Sequence, residues 1–220
     1  MVISADFRHP HLLLKTGFGP PVFQTMTDQG YYYSEHDPIS GWDAGDVKLL
    51  PFLALSQDDR YYGLSYMRLS VIGLRPPAEL PTAYIFSSQQ FYRGACQGLQ
   101  LCDPLGRLQY DSMLKPLHIA AAISAGVPAA IQPELLRGTI PSRPAYFLPS
   151  HYEEIGVKRT GGLITVQDWR GLWNLRGDRM VKGGVFKIGQ TYEDSTRTYS
   201  VQHGYSGAHQ LMCIDAAIYD

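Results

Sequence analysis

Runs of Lys or Arg are absent from this chain of 220 residues, whose formal net charge is −1. The electrostatic footprint that nucleic-acid binding requires is therefore missing, and no nucleic-acid partner is expected. No stretch of ~18 apolar residues is present, so no membrane span is expected. The first residues lack a basic segment followed by an apolar one, which leads us to expect synthesis and assembly in the cytoplasm. Cysteine is scarce too. Cys96, Cys102 and Cys213 are odd in number and contain no Cys-x-x-Cys pair, a set that fits neither a disulfide framework nor a typical structural zinc site. Buried thiols are the expected state.

Catalytic and cofactor constellations are equally thin. His9 with His11 and His203 with His209 match no zinc-site spacing. Gly204-Tyr205-Ser206-Gly207 falls one residue short of a nucleophile elbow and lacks the strand-to-helix context. Asp58-Asp59 and Glu153-Glu154 are sequence neighbours whose side chains diverge on a strand, so neither makes an acid/base pair. Arg176-Gly177-Asp178 reads as a turn between two strand-like runs. No phosphate-cradling or dinucleotide glycine motif occurs. No cofactor, no metal and no enzymatic activity are expected.

What the chain does have is 45% hydrophobic residues, 12% aromatics, 15 Tyr, 22 Gly and 15 Pro. That balance favours short strands joined by turns over a helical bundle, and predicts a mainly β fold of β-sandwich-like or small-barrel domains. Residues 60–74 read as one long half-buried strand with Met67, Leu69 and Val71 on one face. Residues 47–55 are apolar enough for a core strand, but Pro51 implies an edge or a break. Ala83-Tyr84-Ile85-Phe86 follows a proline-marked connection, and residues 117–123 read as a further strand. Residues 126–149 carry Pro128, Pro133, Pro141, Pro144 and Pro149 and are expected to be a linker or extended arm. The expected division is thus an N-terminal β domain over 1–125, the Pro-rich connection over 126–149 and a C-terminal β domain over 150–220. In that last part, 163–167, 171–175, 185–188, 198–202 and 210–219 read as separate strands, punctuated by Gly161-Gly162, Gly177-Asp178, Gly183-Gly184 and Gly204.

The most informative stretch is GLQLCDPLGRLQYDS over residues 98–112. Leu99 and Leu101 alternate with Gln100, Leu108 and Tyr110 alternate with Gln109, and Asp103-Pro104 with Gly106 supplies the turn between them. A hairpin is predicted, with Leu99, Leu101, Leu108 and Tyr110 on its buried face. Followed by Lys115-Pro116-Leu117, this stretch resembles a pattern of tailed-bacteriophage tail-tip, baseplate and tail-fibre proteins. The resemblance covers about a tenth of the chain and implies a structural virion protein, located in the tail and working by subunit assembly. It further implies other tail proteins as partners and a homo-oligomer, such as a trimer around the tail axis.

Aromatic residues cluster at Tyr31-Tyr32-Tyr33, at Tyr61-Tyr62 and at Trp42 beside Asp43 and Asp46. Alternate tyrosines commonly just cover a sheet, yet tyrosine and tryptophan also concentrate in interfaces and stack on sugars. Tyr31, Tyr32, Tyr33 and Trp42 are therefore the candidate partner-binding residues. The alternative to the assembly role is a non-catalytic module binding a host receptor, glycan or protein; a third reading is a hydrolase whose site the sequence does not reveal.

Overall fold

The computed structural model describes residues 10–26, 32–40, 49–55, 61–65, 70–74, 80–87, 98–102, 104–105, 108–124, 133–135, 140–148, 151–158, 164–176, 180–193, 202–205 and 210–220. In chain order its strands are β1 (His11–Thr16), β2 (Phe18–Met26), β3 (Tyr32–Pro38), β4 (Leu49–Ala54), β5 (Tyr61–Ser65), β6 (Ser70–Leu74), β7 (Thr82–Ser87), β8 (Gln100–Cys102) and β9 (Leu108–Asp111). They continue with β10 (Ala121–Ser124), β11 (Pro133–Leu135), β12 (Pro144–Phe147), β13 (His151–Lys158), β14 (Ile164–Arg176), β15 (Met180–Glu193), β16 (Gln202–Tyr205) and β17 (Gln210–Asp215), and a 3-10 turn covers Ala216–Ile218. The mainly β reading of the sequence holds.

Two antiparallel sheets carry the fold, one ordered β1-β7-β4-β12-β17-β10 and the other β11-β15-β14-β5-β6-β3-β2, with β13 and β16 branching from β14. A single core cluster joins them: Leu53, Ile85, Tyr146, Leu211 and Cys213 from the first sheet meet Phe18, Tyr62, Leu64, Val71 and Trp173 from the second. Apolar faces of two sheets closed on one another make a sandwich. Burial at the thiol of Cys213 pushes its pKa up to about 12, with the charge of Asp215 adding to the effect.

The first sheet is apolar on both faces, which is why its strands read as unbroken hydrophobic runs rather than alternating ones. Leu53, Ile85 and Tyr146 point into the inter-sheet core. Their neighbours Phe52, Tyr84, Phe86 and Phe147 point outward into a second cluster with Ile214, Ala216 and Tyr219. That outer face is covered by the end of the described chain. The Tyr219 ring stands edge-on to Phe86 at 4.9 Å, and its hydroxyl donates to the Pro116 carbonyl at 2.9 Å while accepting from the His118 amide at 2.8 Å. Asp220 pairs with Lys15 and Arg143 and accepts from the Tyr84 hydroxyl at 2.7 Å.

The Lys15 ammonium above all, then the Tyr84 hydroxyl and the Arg143 charge, pull the Asp220 carboxyl from 3.8 down to about 2. A carboxyl whose folded pKa lies below its unfolded one adds stability above the unfolded value and loses it as pH falls through the folded one. Asp220→Asn should therefore lower the melting temperature near neutral pH, and the gap from wild type should close between pH 3.8 and about 2. A gap that persists in stronger acid contradicts this assignment.

Several expectations need correction. Residues 60–74 are two strands, not one: β5 turns back on β6 with Tyr61 opposite Leu74 and Ser65 opposite Ser70; Met67 and Leu69 lie outside the described residues. β4 is an interior strand despite Pro51, paired along its length with β7 but with β12 only at Leu53, beyond the proline that cannot donate. The Pro-rich segment is not a linker throughout. Residues 144–147 form a central strand between β4 and β17, with Ala145, Tyr146 and Phe147 buried, and Pro133 opens β11 against β15. Pro133 and Pro144 are first residues of their strands, where a missing donor is tolerated. Both sheets consequently take strands from either side of residues 126–149, so the sheets do not follow the expected division into domains. Residues 164–167 and 171–175 belong to one 13-residue strand, Leu163 lying outside the described residues, and Gly183-Gly184 is no turn but lies within β15 opposite Trp173 and Leu172. Of the stretch expected to be a strand at 117–123, only residues 121–123 lie in one, β10.

The hairpin forms as expected, with Gln100 opposite Asp111 and Leu101 opposite Tyr110, but Leu99 and Leu101 do not lie on a buried face, while the side chains of Leu108 and Tyr110 lie outside the described ones. Leu99 is 61% and Leu101 43% exposed, whereas Asp111 is buried. Leu101→Ala should consequently change stability by no more than ~0.5 kcal/mol, the usual range for surface positions. A urea midpoint shifted by the several kcal/mol of a core truncation contradicts this.

Candidate functional site

The residues of the tail-like stretch divide into a clamp and an anchor. Gly98 begins the clamp, and a Cβ there would stand 2.5 Å from Ser112 Oγ and 2.8 Å from Met113 Cγ, so a larger residue would have to displace both side chains. The Leu99 amide donates to Ser112 Oγ at 2.8 Å, and the Ser112 amide donates back to the Leu99 carbonyl at 2.9 Å. Asp111 is satisfied twice, by Gln100 Nε2 at 2.9 Å and by the Met113 amide at 2.8 Å. These bonds draw the polar side chains of Gln100 and Asp111 inward and turn the leucines out.

Lys115, Pro116 and Leu117 form the anchor. Lys115 Nζ donates to the backbone oxygens of Ile218 and Asp220, its own carbonyl accepts from the Leu12 amide at 2.8 Å, and the Leu117 amide donates to the Pro10 carbonyl at 2.8 Å. Leu117 packs into the outer cluster of the first sheet. The two-stranded hairpin shares no strand pairing with either large sheet. It is a short arm with a fixed root, and Leu99, Leu101, Leu105 (77% exposed) and Met113 (64% exposed) form its apolar surface. Cys102 lies on the same arm and is exposed, contrary to the expectation of buried thiols that Cys213 meets.

A second apolar surface lies at the rim of the inter-sheet core. An open groove of about 580 Å³ is lined by Phe18, Gly19, Pro20, Pro21, Gln24, Ser34, His36, Ile39 and Leu80. β2 borders it as the terminal strand of its sheet and is bulged at Pro21, with Val22, Phe23 and Met26 half exposed or more. Two prolines and irregular register protect such an edge from indiscriminate strand pairing. Within the groove, His36 Nδ1 donates to the Gly19 carbonyl at 2.8 Å, and Nε2 faces Ser34 Oγ at 3.1 Å. A hydroxyl beside an imidazole is the arrangement of nucleophile and base. Ser34, however, is only 1% exposed and its hydroxyl donates to the Gly73 carbonyl at 3.5 Å, away from the imidazole, so the pair serves to satisfy buried polar atoms.

The residues picked out in the sequence are not brought together as a site. Tyr33 is 2% exposed, stacks edge-on against Phe23 at 6.0 Å and packs with Ile72 and Leu172, and burial raises its hydroxyl pKa. It is a core residue and not a contact surface. Tyr32 begins β3, with its side chain outside the described set, and Tyr31 and Trp42 lie outside the described residues altogether. Sequence reasoning missed the groove because Phe18 and His36 meet only through the pairing of β2 with β3, and Leu80 joins them from the segment before β7. Among the described residues, no group of three or more His, Cys, Asp or Glu could hold a metal ion, and no helix is long and apolar enough to cross a membrane. Comparison with protein-family models, curated proteins and solved structures finds no match to this chain.

Proposed function

We propose that this protein is a structural component of a phage tail tip, baseplate or fibre that works by assembling with other tail subunits. One observation carries the reading: the tail-like stretch is a rigidly rooted arm whose exposed surface is apolar at Leu99, Leu101, Leu105 and Met113. Contiguous exposed apolar side chains mark interaction surfaces, and a two-stranded hairpin alone is marginally stable in water. An arm of this kind gains most when a neighbouring subunit covers it. The receptor-binding alternative is weaker, because Tyr33, the one candidate of that cluster whose side chain is described, is buried.

Mass spectrometry of tailed particles purified from a lysate expressing this gene tests the proposal. The protein is expected as a stoichiometric particle component that does not degrade host polysaccharide. Its absence from particles, or turnover of polysaccharide by the isolated chain, overturns the structural role. Tight binding of the isolated chain to host envelope would favour the receptor-binding alternative.

A further inference from the structure

We infer that residues 216–220 are a catch on the hairpin arm: they hold it in one direction, and rising ionic strength releases it by loosening the grip on Asp220. The arm's motion does not depend on which partner it meets, so failure of the test below leaves the tail role standing. The arm is built to move as one piece. Its closing bonds, between Leu99 and Ser112 and around Asp111, are internal, and it pairs with neither large sheet. Its direction is therefore fixed at its root.

The root is held on two opposite edges. On one edge the Leu12 amide donates to the Lys115 carbonyl and the Leu117 amide to the Pro10 carbonyl, both at 2.8 Å, on either side of the bridge between His11 and Pro116. In an antiparallel bridge bracketed this way, the carbonyl of Pro116 and the amide of His118 turn to the other edge. Tyr219 meets both there. Its hydroxyl donates to the Pro116 carbonyl at 2.9 Å and accepts from the His118 amide at 2.8 Å. Lys115 Nζ adds bonds to the backbone oxygens of Ile218 at 2.9 Å and Asp220 at 3.2 Å. Two bonds to β1 in one line make an axis about which the root can turn. The bonds from residues 218–220 lie off that axis and stop the turn.

Charge in turn holds the catch. Residues 216–220 are one tight turn, closed by the Tyr219 amide on the Ala216 carbonyl at 3.0 Å and capped by Asp215, which accepts from the Ala217 amide at 3.1 Å. Its far end is tied down by Asp220, through Lys15, Arg143 and the Tyr84 hydroxyl. The side chains of Lys15 and Arg143 are 46% and 58% exposed, so salt screens both ion pairs. The Asp220 carboxyl, held at about 2, stays ionised far below neutrality, which makes salt and not pH the lever. With that end free, the turn keeps only the Tyr219 ring beside Tyr84 and Phe86 and the Ala216 amide on the Arg143 carbonyl. The oxygens that Lys115 meets are then no longer fixed in place.

Distances between two spin labels test this in the full-length chain, one label on Cys102 of the arm and one on a cysteine replacing the exposed Met26 of β2. Cys96→Ser keeps the labelling specific, and Cys213 is buried. The otherwise unchanged chain should give one narrow distribution in about 0.05 M salt and one roughly twice as wide in about 1 M, where screening acts within about 3 Å. Asp220→Asn should be wide in both, its salt response lost. Tyr219→Phe combined with Lys115→Met, which removes every bond from the catch to the root but leaves the ring and the Asp220 ion pairs, should also be wide in both. Throughout, the Ser112 amide should keep its exchange protection, because its bond to Leu99 lies inside the arm. Loss of that protection would mean that the arm melts and does not swing, and overturns the inference. A narrow distribution in the double variant does so too, since β1 alone would then fix the root. A salt response that persists in Asp220→Asn, or none in the parent chain, removes Asp220 as the catch.

Discussion

Phe52→Ala should cost about 3–5 kcal/mol, the range for truncating a buried aromatic ring. Phe52 is fully buried, edge-on to Phe86 at 5.5 Å and tilted against Phe147 at 5.8 Å. Its strand is hydrogen-bonded to β7 along its length and to β12 at the adjacent Leu53. The surrounding backbone is thus pinned and cannot collapse into the space the ring leaves, which places the cost towards the upper end of that range. Natural domains are stable by only about 5–15 kcal/mol, so this one change removes a large share. Urea unfolding should show a lower midpoint with little change in slope. Leu105→Ala, at an exposed position of similar chemistry, should stay within ~0.5 kcal/mol. Equal midpoints for the two variants would mean that the outer face of the first sheet is not a packed core.

Tyr219→Ala should come second, at about 3–5 kcal/mol by the same cavity argument. The ring fills a space against Phe86 and Tyr84, and the hydroxyl ties residues 116 and 118 to the end of the described chain. Tyr219→Phe separates the two contributions, since it keeps the ring and removes only the hydroxyl; about 1–2 kcal/mol is expected from the two lost bonds. Amide exchange reads the difference directly. The His118 amide should lose protection in both variants, whereas amides of β7 should lose it only in Tyr219→Ala. Loss across β7 in Tyr219→Phe would assign the whole effect to the hydroxyl.

Much of the fold was legible because burial on both faces leaves a plain mark. Residues 83–86 and Leu49–Ala54 are unbroken runs of apolar and aromatic residues, and both lie in interior strands of the first sheet. The hairpin was legible from its turn chemistry. Its inward face was not, because alternation of leucine with glutamine distinguishes two faces without saying which is covered. There the deciding fact is tertiary: Asp111 finds two donors within the arm's root, and Leu99 and Leu101 stay exposed. Pro144 misled for a related reason. Proline density argues against a strand interior, yet a proline at the first residue leaves the three that follow free to pair. As for the candidate surfaces, the tyrosine cluster drew attention by composition while Tyr33 serves the core. The groove joins residues from three separate parts of the chain, and no local pattern encodes such a meeting.

The position of β12 also sets a timetable. Leu53 and Tyr146 are bridged although they stand 93 positions apart in the chain, and β12 must in turn be met by β17, from the last residues described. During synthesis, β4 and β7 can pair early, but the free edge of β4 waits until β12 emerges, and the sheet is complete only when β17 arrives. Such distant closures are slow steps, and an exposed apolar edge is open to wrong partners in the interval. Refolding of the intact chain is therefore expected to be slow and sensitive to concentration, and truncation before residue 210 should leave a chain that aggregates instead of one that folds in part.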